Sequence, residues 1–294
     1  VMDVVGPVAE RMWVSTFHST CVRILRQHAS MIPGLNTNFS IYDSDDSRRL
    51  LAQIAKDMQL DLKKFTARSL ATAISNLKNE LVSPQAAATE AEQTRNEFEV
   101  VVAKVYADYQ AQLRRANAVD FDDLIGEVVG IFQRHPEVAE HYRRRSRHVL
   151  LDEYQDTNHA QYVLVRELVG GPGTSGAGSA LPPGELTVVG DSDQSIYAFR
   201  GATIRNIEEF EEDYPAARTI LLEQHYRSTQ NILSAANAVI SRNSGRREKN
   251  LWTAAGDGAP ITGYVADSEH DEARWISQEV DRLADEHGVR PRDV

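Results

Sequence analysis

A single cysteine, Cys21, stands in the 294 residues, so no disulfide can form within the chain, and no Cys/His spacing of the zinc-binding kind occurs. No apolar run approaches the roughly 20 residues that a membrane helix needs, and no basic segment followed by an apolar one opens the chain. Basic residues are in deficit. The 32 Lys and Arg against 43 Asp and Glu leave a net charge of -11, which excludes a protein that coats nucleic acid by charge alone and makes any such site local. The dipeptide Gly-Lys is absent throughout, and with it the G-x-x-x-x-G-K-[ST] loop in which P-loop enzymes cradle phosphates. These absences favour a reduced, cytoplasmic setting without a membrane span.

What is present is ordinary for a soluble globular protein: 41% hydrophobic and 26% charged residues, with length for one large or two ordinary domains. The stretches "MWVSTFH" (12–18) and "FSIYDS" (39–44) predict short strands flanking an amphipathic helix from Ser19 to Ile32. From Ser44 to Arg115 the pattern is almost wholly helical, with Val102, Val105, Tyr106, Tyr109 and Leu113 at helical spacing. The segment "DFDDLIGEVVGIF" (120–132) begins a further helix with Leu124, Ile125, Val128 and Val129 on one face. In "VLLDEYQDTNHAQ" (149–161) an aliphatic strand ends on Asp152 and Glu153, ahead of a helix from Ala160 to Val169. After a Gly, Pro and Ser loop (170–184) the theme repeats: Leu186 to Val189 end on Gly190 and Asp191. A helix from Thr203 then turns Ile204, Ile207 and Phe210 inward, and "TILLEQHYRS" (219–228) predicts a third strand. Strands separated by helices imply an α/β fold with a mostly parallel sheet covered on both faces.

In such sheets ligands sit at the carboxyl ends of the strands. Magnesium prefers oxygen ligands and retains several waters, so one or two carboxylates beside a triphosphate suffice, with Asp152 the first candidate of the pair. Glu153, one residue on, is placed to orient or deprotonate an attacking water, a role worth roughly 10²- to 10⁴-fold in rate. The alternative is that both residues cap the following helix.

Three long segments in order, "LLDEYQDTN", "VVGDSDQSIYAFRGA" and "LLEQHYRST", each after an aliphatic strand, resemble the UvrD/Rep/PcrA family of superfamily 1 DNA helicases. The segments "VSTFHSTCVRILR" (14–26), "DFDDLI" (120–125) and "EKNLWT" (248–253) are similar to the family as well, so the resemblance runs over nearly the whole chain. It implies a RecA-like P-loop NTPase sheet with an inserted all-helical subdomain and the start of a second RecA-like domain. The expected division is 1–43 first motor domain, 44–115 helical insertion, 116–215 first motor domain continued, and 216–294 second motor domain begun.

The resemblance also implies roles. Asp152 and Glu153 would be the magnesium and water-activating pair of an ATPase. Gln194 would reach the terminal phosphate, and its amide suits this by both donating and accepting. Arg227 would act as an arginine finger, worth on the order of 10³ to 10⁵ in turnover, and Tyr226 would stack on the adenine unless it is an ordinary core aromatic. Single-stranded DNA would be gripped by stacking on Tyr197, Phe199 and Phe121, at about 1 to 3 kcal/mol per base, with Thr16, His18 and Arg200 nearby. For the ring residues and His18 the alternative is a place in the core. "AISNLKNEL" (73–81) is similar to the family stretch that touches duplex DNA ahead of the fork, making Lys78 and Asn79 candidate backbone contacts, or else part of a solvated helix face. The basic runs Arg143 to Arg145 and Arg246 to Lys249 track phosphates or form surface pairs.

The sequence departs from the family pattern in three places. Phe199 stands where relatives often have Trp, and His225 where they commonly have Asn. The phosphate loop, which in the family precedes "STFHS", is missing, so the chain is expected to be an internal piece of a longer 3′ to 5′ helicase of repair or replication, with negligible ATP hydrolysis by itself. Two rival classes stand beside this one. A metal-dependent nuclease would use Asp152, Glu153 and Asp191 without ATP, and a non-catalytic module would bind DNA alone.

Overall fold

The computed structural model describes residues 1–171, 174, 181–195, 207, 210, 212–243 and 249–294. The chain divides into two compact units, Val1–Ala217 and Arg218–Val294. The fold is α/β with parallel strand pairing.

The first unit opens with α1 (Met2–Val5) and a 3₁₀ segment, Gly6–Arg11. The strand expected over 12–18 does not form. Residues 12–16 are irregular, and α2 starts already at Phe17 and runs to His28. The reason is local: the Thr16 side chain accepts from the Ser19 backbone N–H at 3.3 Å, an N-cap that outcompetes the strand preference of Trp13 and Val14. Strand β1 (Ser40–Tyr42) pairs in parallel with β2 (Ala118–Asp120), a strand too short to be expected from pattern, in the register Ser40 to Ala118. Between these adjacent strands lie four helices: α3 (Ser44–Asp57), α4 (Ala67–Asn79), α5 (Pro84–Thr94) and α6 (Glu97–Arg115). The chain continues through α7 (Phe121–Arg134), α8 (Pro136–Arg145), β3 (His148–Leu151), α9 (His159–Val169) and β4 (Glu185–Val188), with β3 and β4 parallel.

Two apolar cores lie inside this unit. One gathers Ile24, Leu25, Phe39, Val128, Phe132 and Leu164 around α2, α7 and α9, with Ile207 and Phe210 packed against it. The other gathers Leu51, Ile54, Leu70, Ile74, Val105 and Tyr109 within the four intervening helices. Each fully buried aliphatic or aromatic side chain contributes about 1.5 to 3 kcal/mol. The helical face read from Val102 to Leu113 and that from Leu124 to Val129 are both buried. Cys21 lies in the first core, where burial pushes its thiol up to about 12.

The second unit holds α10 (Gln230–Ile240) and α11 (Glu269–His287). The third strand expected over 219–228 is not regular among the described residues. Gln224 forms a single parallel bridge with Trp252, and Ile220, Leu221 and Leu222 are exposed. Among the described residues no helix is long and apolar enough to cross a membrane.

Candidate functional site

The parallel pairing of β3 and β4 brings the two acid-bearing strand ends together. Val189 N–H donates to Leu151 O at 2.8 Å, and Tyr154 N–H donates to Val189 O at 2.9 Å, so the backbone after Glu153 is stitched to the strand that leads into Asp191. Asp152 and Glu153 are both exposed. Neither caps α9, because that helix is capped by Asn158 and Gln161 in a reciprocal box. Asp152 Oδ1 accepts from the Glu153 N–H at 3.0 Å. Glu153 sits in the left-handed region, φ 51 and ψ 44, which a non-glycine residue occupies only at some cost. That conformation turns the chain at the strand end.

Sequence reasoning missed the residue that links these groups. Gln155 is buried, 1% exposed, and its side-chain amide donates to Glu153 Oε2 at 2.7 Å while its carbonyl accepts from the Asp191 N–H at 2.9 Å. Asp191 in turn accepts from Asp193 N–H at 3.0 Å and, through Oδ2, from the Gln194 amide at 2.7 Å. Glu153 and Gln194 are thereby joined through two intermediaries. Gly190 makes room for this: a Cβ there would lie 2.9 Å from Gln155 Oε1 and 3.2 Å from Gln155 N. The signal that points to Gln155 in retrospect is a polar residue flanked by acids yet assigned to no ligand.

Asp152 suits a hard cation by donor type, since its carboxylate is exposed and only Oδ1 is engaged among the described residues. Among the described residues no three His, Cys, Asp or Glu side chains converge as a ready-made metal site. A metal held by Asp152 would therefore complete its oxygen shell from water or a phosphate.

Three of the expected DNA residues meet at the adjoining N-termini of α2 and α7. Thr16 caps α2, and the His18 ring stands edge-on to Phe121, with ring centres 5.7 Å apart and planes at 74°. Burial lowers the His18 pKa from the ordinary imidazole value, which favours the neutral ring. Phe121 is 48% exposed, which excludes a core role. It borders a cleft of about 340 Å³ lined also by Tyr42, Arg48, Arg68, Ser75 and Asp122. Tyr197, Phe199 and Arg200 lie outside the described residues.

Lys78 is a correction. Its side chain is 4% exposed, and its ammonium donates to Asp120 Oδ2 at 2.6 Å and Asp123 Oδ1 at 2.8 Å, so it is not available to a DNA phosphate. A buried cation requires paired anions, and the two acids that open α7 supply them. Burial disfavours the ammonium, but Asp123 and Asp120 outweigh it and keep the group charged well above the usual lysine range. Asn79, beside it, is half-buried and accepts from the Asn158 side chain at 2.8 Å, tying α4 to the start of α9. The basic run also resolves. Arg143 is buried against Glu167, Arg144 pairs with Glu140 at the surface, and Arg145 lies over the Trp13 ring at 4.7 Å.

In the second unit His225 has a definite structural task. Its Nδ1 accepts from the N–H groups of Arg227 at 3.2 Å and Ser228 at 3.0 Å, closing the turn that carries Tyr226 and Arg227. An Asn side-chain oxygen can close the same turn, which accounts physically for His standing there. Tyr226 is 85% exposed and is no core aromatic, and Arg227 is exposed as well.

Two paired parallel strands that present an acid pair and an amide turn at their carboxyl ends define an α/β protein with polar groups gathered at one end of its strands. The UvrD/REP helicase N-terminal domain matches residues 3–215, and the UvrD-like helicase C-terminal domain matches residues 220–292. The chain belongs to the UvrD/REP helicase family. It is 64% identical over 294 residues to ATP-dependent DNA helicase UvrD1 of Mycobacterium tuberculosis, covering all of this chain and 38% of that protein. It is 65% identical over 283 residues to UvrD1 of Mycobacterium leprae, covering 96% of this chain and 36% of that protein. To ATP-dependent DNA helicase PcrA of Staphylococcus aureus it is 49% identical over 280 residues, with 95% of this chain and 36% of that one covered. The chain thus spans little more than a third of the length of these relatives.

Proposed function

We propose that the chain is the part of an ATP-dependent DNA helicase that activates water, senses the nucleotide and begins the grip on single-stranded DNA. The observation that carries this reading is the convergence of the exposed Asp152–Glu153 pair and the Asp191–Gln194 turn at the ends of two paired parallel strands. The names of the relatives as ATP-dependent DNA helicases support it.

In this reading Glu153 takes a proton from water as its oxygen attacks the terminal phosphorus of ATP, and ADP leaves with the electrons of the broken bond. Magnesium, held through Asp152 and water, supplies charge neutralisation on the phosphates when bound. Gln194, whose amide both donates and accepts, contacts the terminal phosphate. Tyr226 offers an open ring face to the adenine, and Arg227 supplies positive charge to the transferring phosphoryl group. Phe121, with His18 and Thr16 beside it, takes bases at the cleft, and Tyr197, Phe199 and Arg200 share this task by resemblance. The substrate is single-stranded DNA and its junctions with duplex, traversed 3′ to 5′ in cytoplasmic repair or replication. Lys78 takes no part in duplex contact.

The test uses the full-length protein. Wild type is expected to hydrolyse ATP in response to single-stranded DNA and to unwind a partial duplex with a 3′ overhang in preference to a 5′ one. Glu153→Gln is expected to retain ATP binding by fluorescent-nucleotide titration and to lose turnover roughly 10²- to 10⁴-fold. Full activity in Glu153→Gln overturns the assignment of the base.

A further inference from the structure

We infer that Gln155 is a positioning residue that couples the carboxylate of Glu153 to the nucleotide-sensing turn, an inference that rests on the ATPase reading above. The amide is used at both ends, and its orientation is determined by its neighbours. A carboxylate can only accept, so Nε2 must face Glu153, and a backbone N–H can only donate, so Oε1 must face Asp191. No other uncharged side chain of this length offers a donor and an acceptor in one planar group. Gln155 is 1% exposed, so its amide end of each bond is shielded from bulk water, which strengthens both relative to an open surface.

The arrangement has a directional consequence. Glu153 holds a left-handed backbone conformation at an exposed turn, so its carboxylate has little packing to fix it. The bond from Gln155 engages Oε2, and among the described residues Oε1 is left as the oxygen presented to water. On the far side the Asp191 N–H that holds Gln155 belongs to the residue whose carboxylate grips Gln194. A movement of Gln194 toward a phosphate therefore pulls on Asp191, then on Gln155, and resets the direction of the Glu153 oxygen. Gly190 permits the whole path, because its missing Cβ is the space into which the Gln155 carbonyl reaches. A purely space-filling role would need neither the donor nor the acceptor, and a methionine would serve as well.

The test is the kcat and the KM for ATP of single-strand-stimulated hydrolysis by the full-length protein. Gln155→Glu keeps the length and the acceptor but replaces the donor with a second carboxylate against Glu153. At neutral pH kcat is expected to fall at least tenfold, with KM for ATP changed less than threefold. Gly190→Ala reaches the same amide from the other side. It keeps Gln155 in place chemically, displaces its carbonyl, and is expected to lower kcat several-fold with KM again little changed. Should Gln155→Glu give little folded protein, Gly190→Ala decides alone. An active wild type with unaltered kcat in the variants overturns the coupling and leaves the ATPase reading intact. A wild type without DNA-stimulated hydrolysis overturns the ATPase reading and the coupling together.

Discussion

Two acid-rich turns of the first unit look alike in sequence and behave oppositely in the fold. "DFDD" at the start of α7 and "DEYQD" after β3 each place carboxylates at a strand-to-helix transition. In the first, all four oxygens of Asp120 and Asp123 are engaged. Asp120 Oδ1 accepts from Asp123 N–H and Oδ2 from Lys78 and Tyr109, while Asp123 Oδ1 accepts from Lys78 and Gln110 and Oδ2 from Asp120 N–H. In the second, Asp152 and Glu153 remain exposed, with one oxygen of each engaged among the described residues. What separates them is a cation within reach. Acids that the fold neutralises internally are structural, and acids it leaves exposed retain the capacity to bind a ligand.

The strongest way to break this contrast is to remove the cation. Lys78→Met leaves two buried carboxylates without a counter-charge, and breaking a buried pair in this manner costs about 3 to 5 kcal/mol. Glu153→Gln alters an exposed group and is expected to change stability by less than about 0.5 kcal/mol, while lowering turnover of the full-length protein roughly 10²- to 10⁴-fold. Urea denaturation of both variants and wild type checks the pair. Equal midpoints for Lys78→Met and wild type would show that the junction is not the sealed network described.

A second variant sharpens the same junction through pH. Asp122 lies between the two engaged acids, half-buried, and burial together with the charge of Asp120 pushes its pKa up to about 6. A carboxyl raised in the fold favours folding most when protonated in both states, so its contribution is present below about pH 4 and is lost as pH rises through 6. Asp120 runs the other way. Although burial works to raise its pKa, Lys78 overcomes that and holds it down, so its stabilisation is present above the ordinary Asp range and is lost on acidification. Asp122→Asn is therefore expected to raise stability at pH 7 by an amount of order 1 kcal/mol. The gain should vanish by pH 4, as read from urea midpoints across that range. A gain independent of pH would locate its cause outside this ionisation.

The same junction shows where sequence reading succeeds and where it stops. The buried faces of α6 and α7 were legible because Val102 to Leu113 and Leu124 to Val129 repeat at helical spacing. The exits of β3 and β4 were legible because aliphatic runs change abruptly to acids. The partners of Lys78 were not, since they lie 42 and 45 residues away, and a lysine in "SNLKNEL" looks like any solvated helix position. The strand at 12–18 failed because Thr16 and Ser19 form a cap, which a tally of β-branched and aromatic residues does not weigh. Strand β2 escaped notice because three residues carry too little pattern, and only pairing with β1 makes them a strand. Gln155 went unassigned for a related reason. Its importance lies in a hydrogen bond to Asp191, 36 residues on, which exists only once β3 and β4 are side by side.

The smallest effect concerns three neighbouring arginines that share a composition and nothing else. Arg143 donates through Nε to Glu167 O at 2.7 Å and through Nη2 to Glu167 Oε2 at 2.9 Å, both partners being buried. Arg144, on the outer face of α8, pairs with Glu140 one turn earlier, and its side chain is 65% exposed. Exposed ion pairs of this spacing are worth about 0.3 to 0.5 kcal/mol and are screened by salt. Arg144→Ala is therefore expected to shift the urea midpoint barely beyond error in dilute buffer, with the shift disappearing in 1 M NaCl. It is also expected to leave DNA affinity and its salt dependence unchanged, because Arg144 is held here to pair with Glu140 and not with phosphates. A loss of affinity in Arg144→Ala together with a shallower salt slope would reassign this face of α8 to the DNA, since each lost phosphate contact reduces that slope by about one.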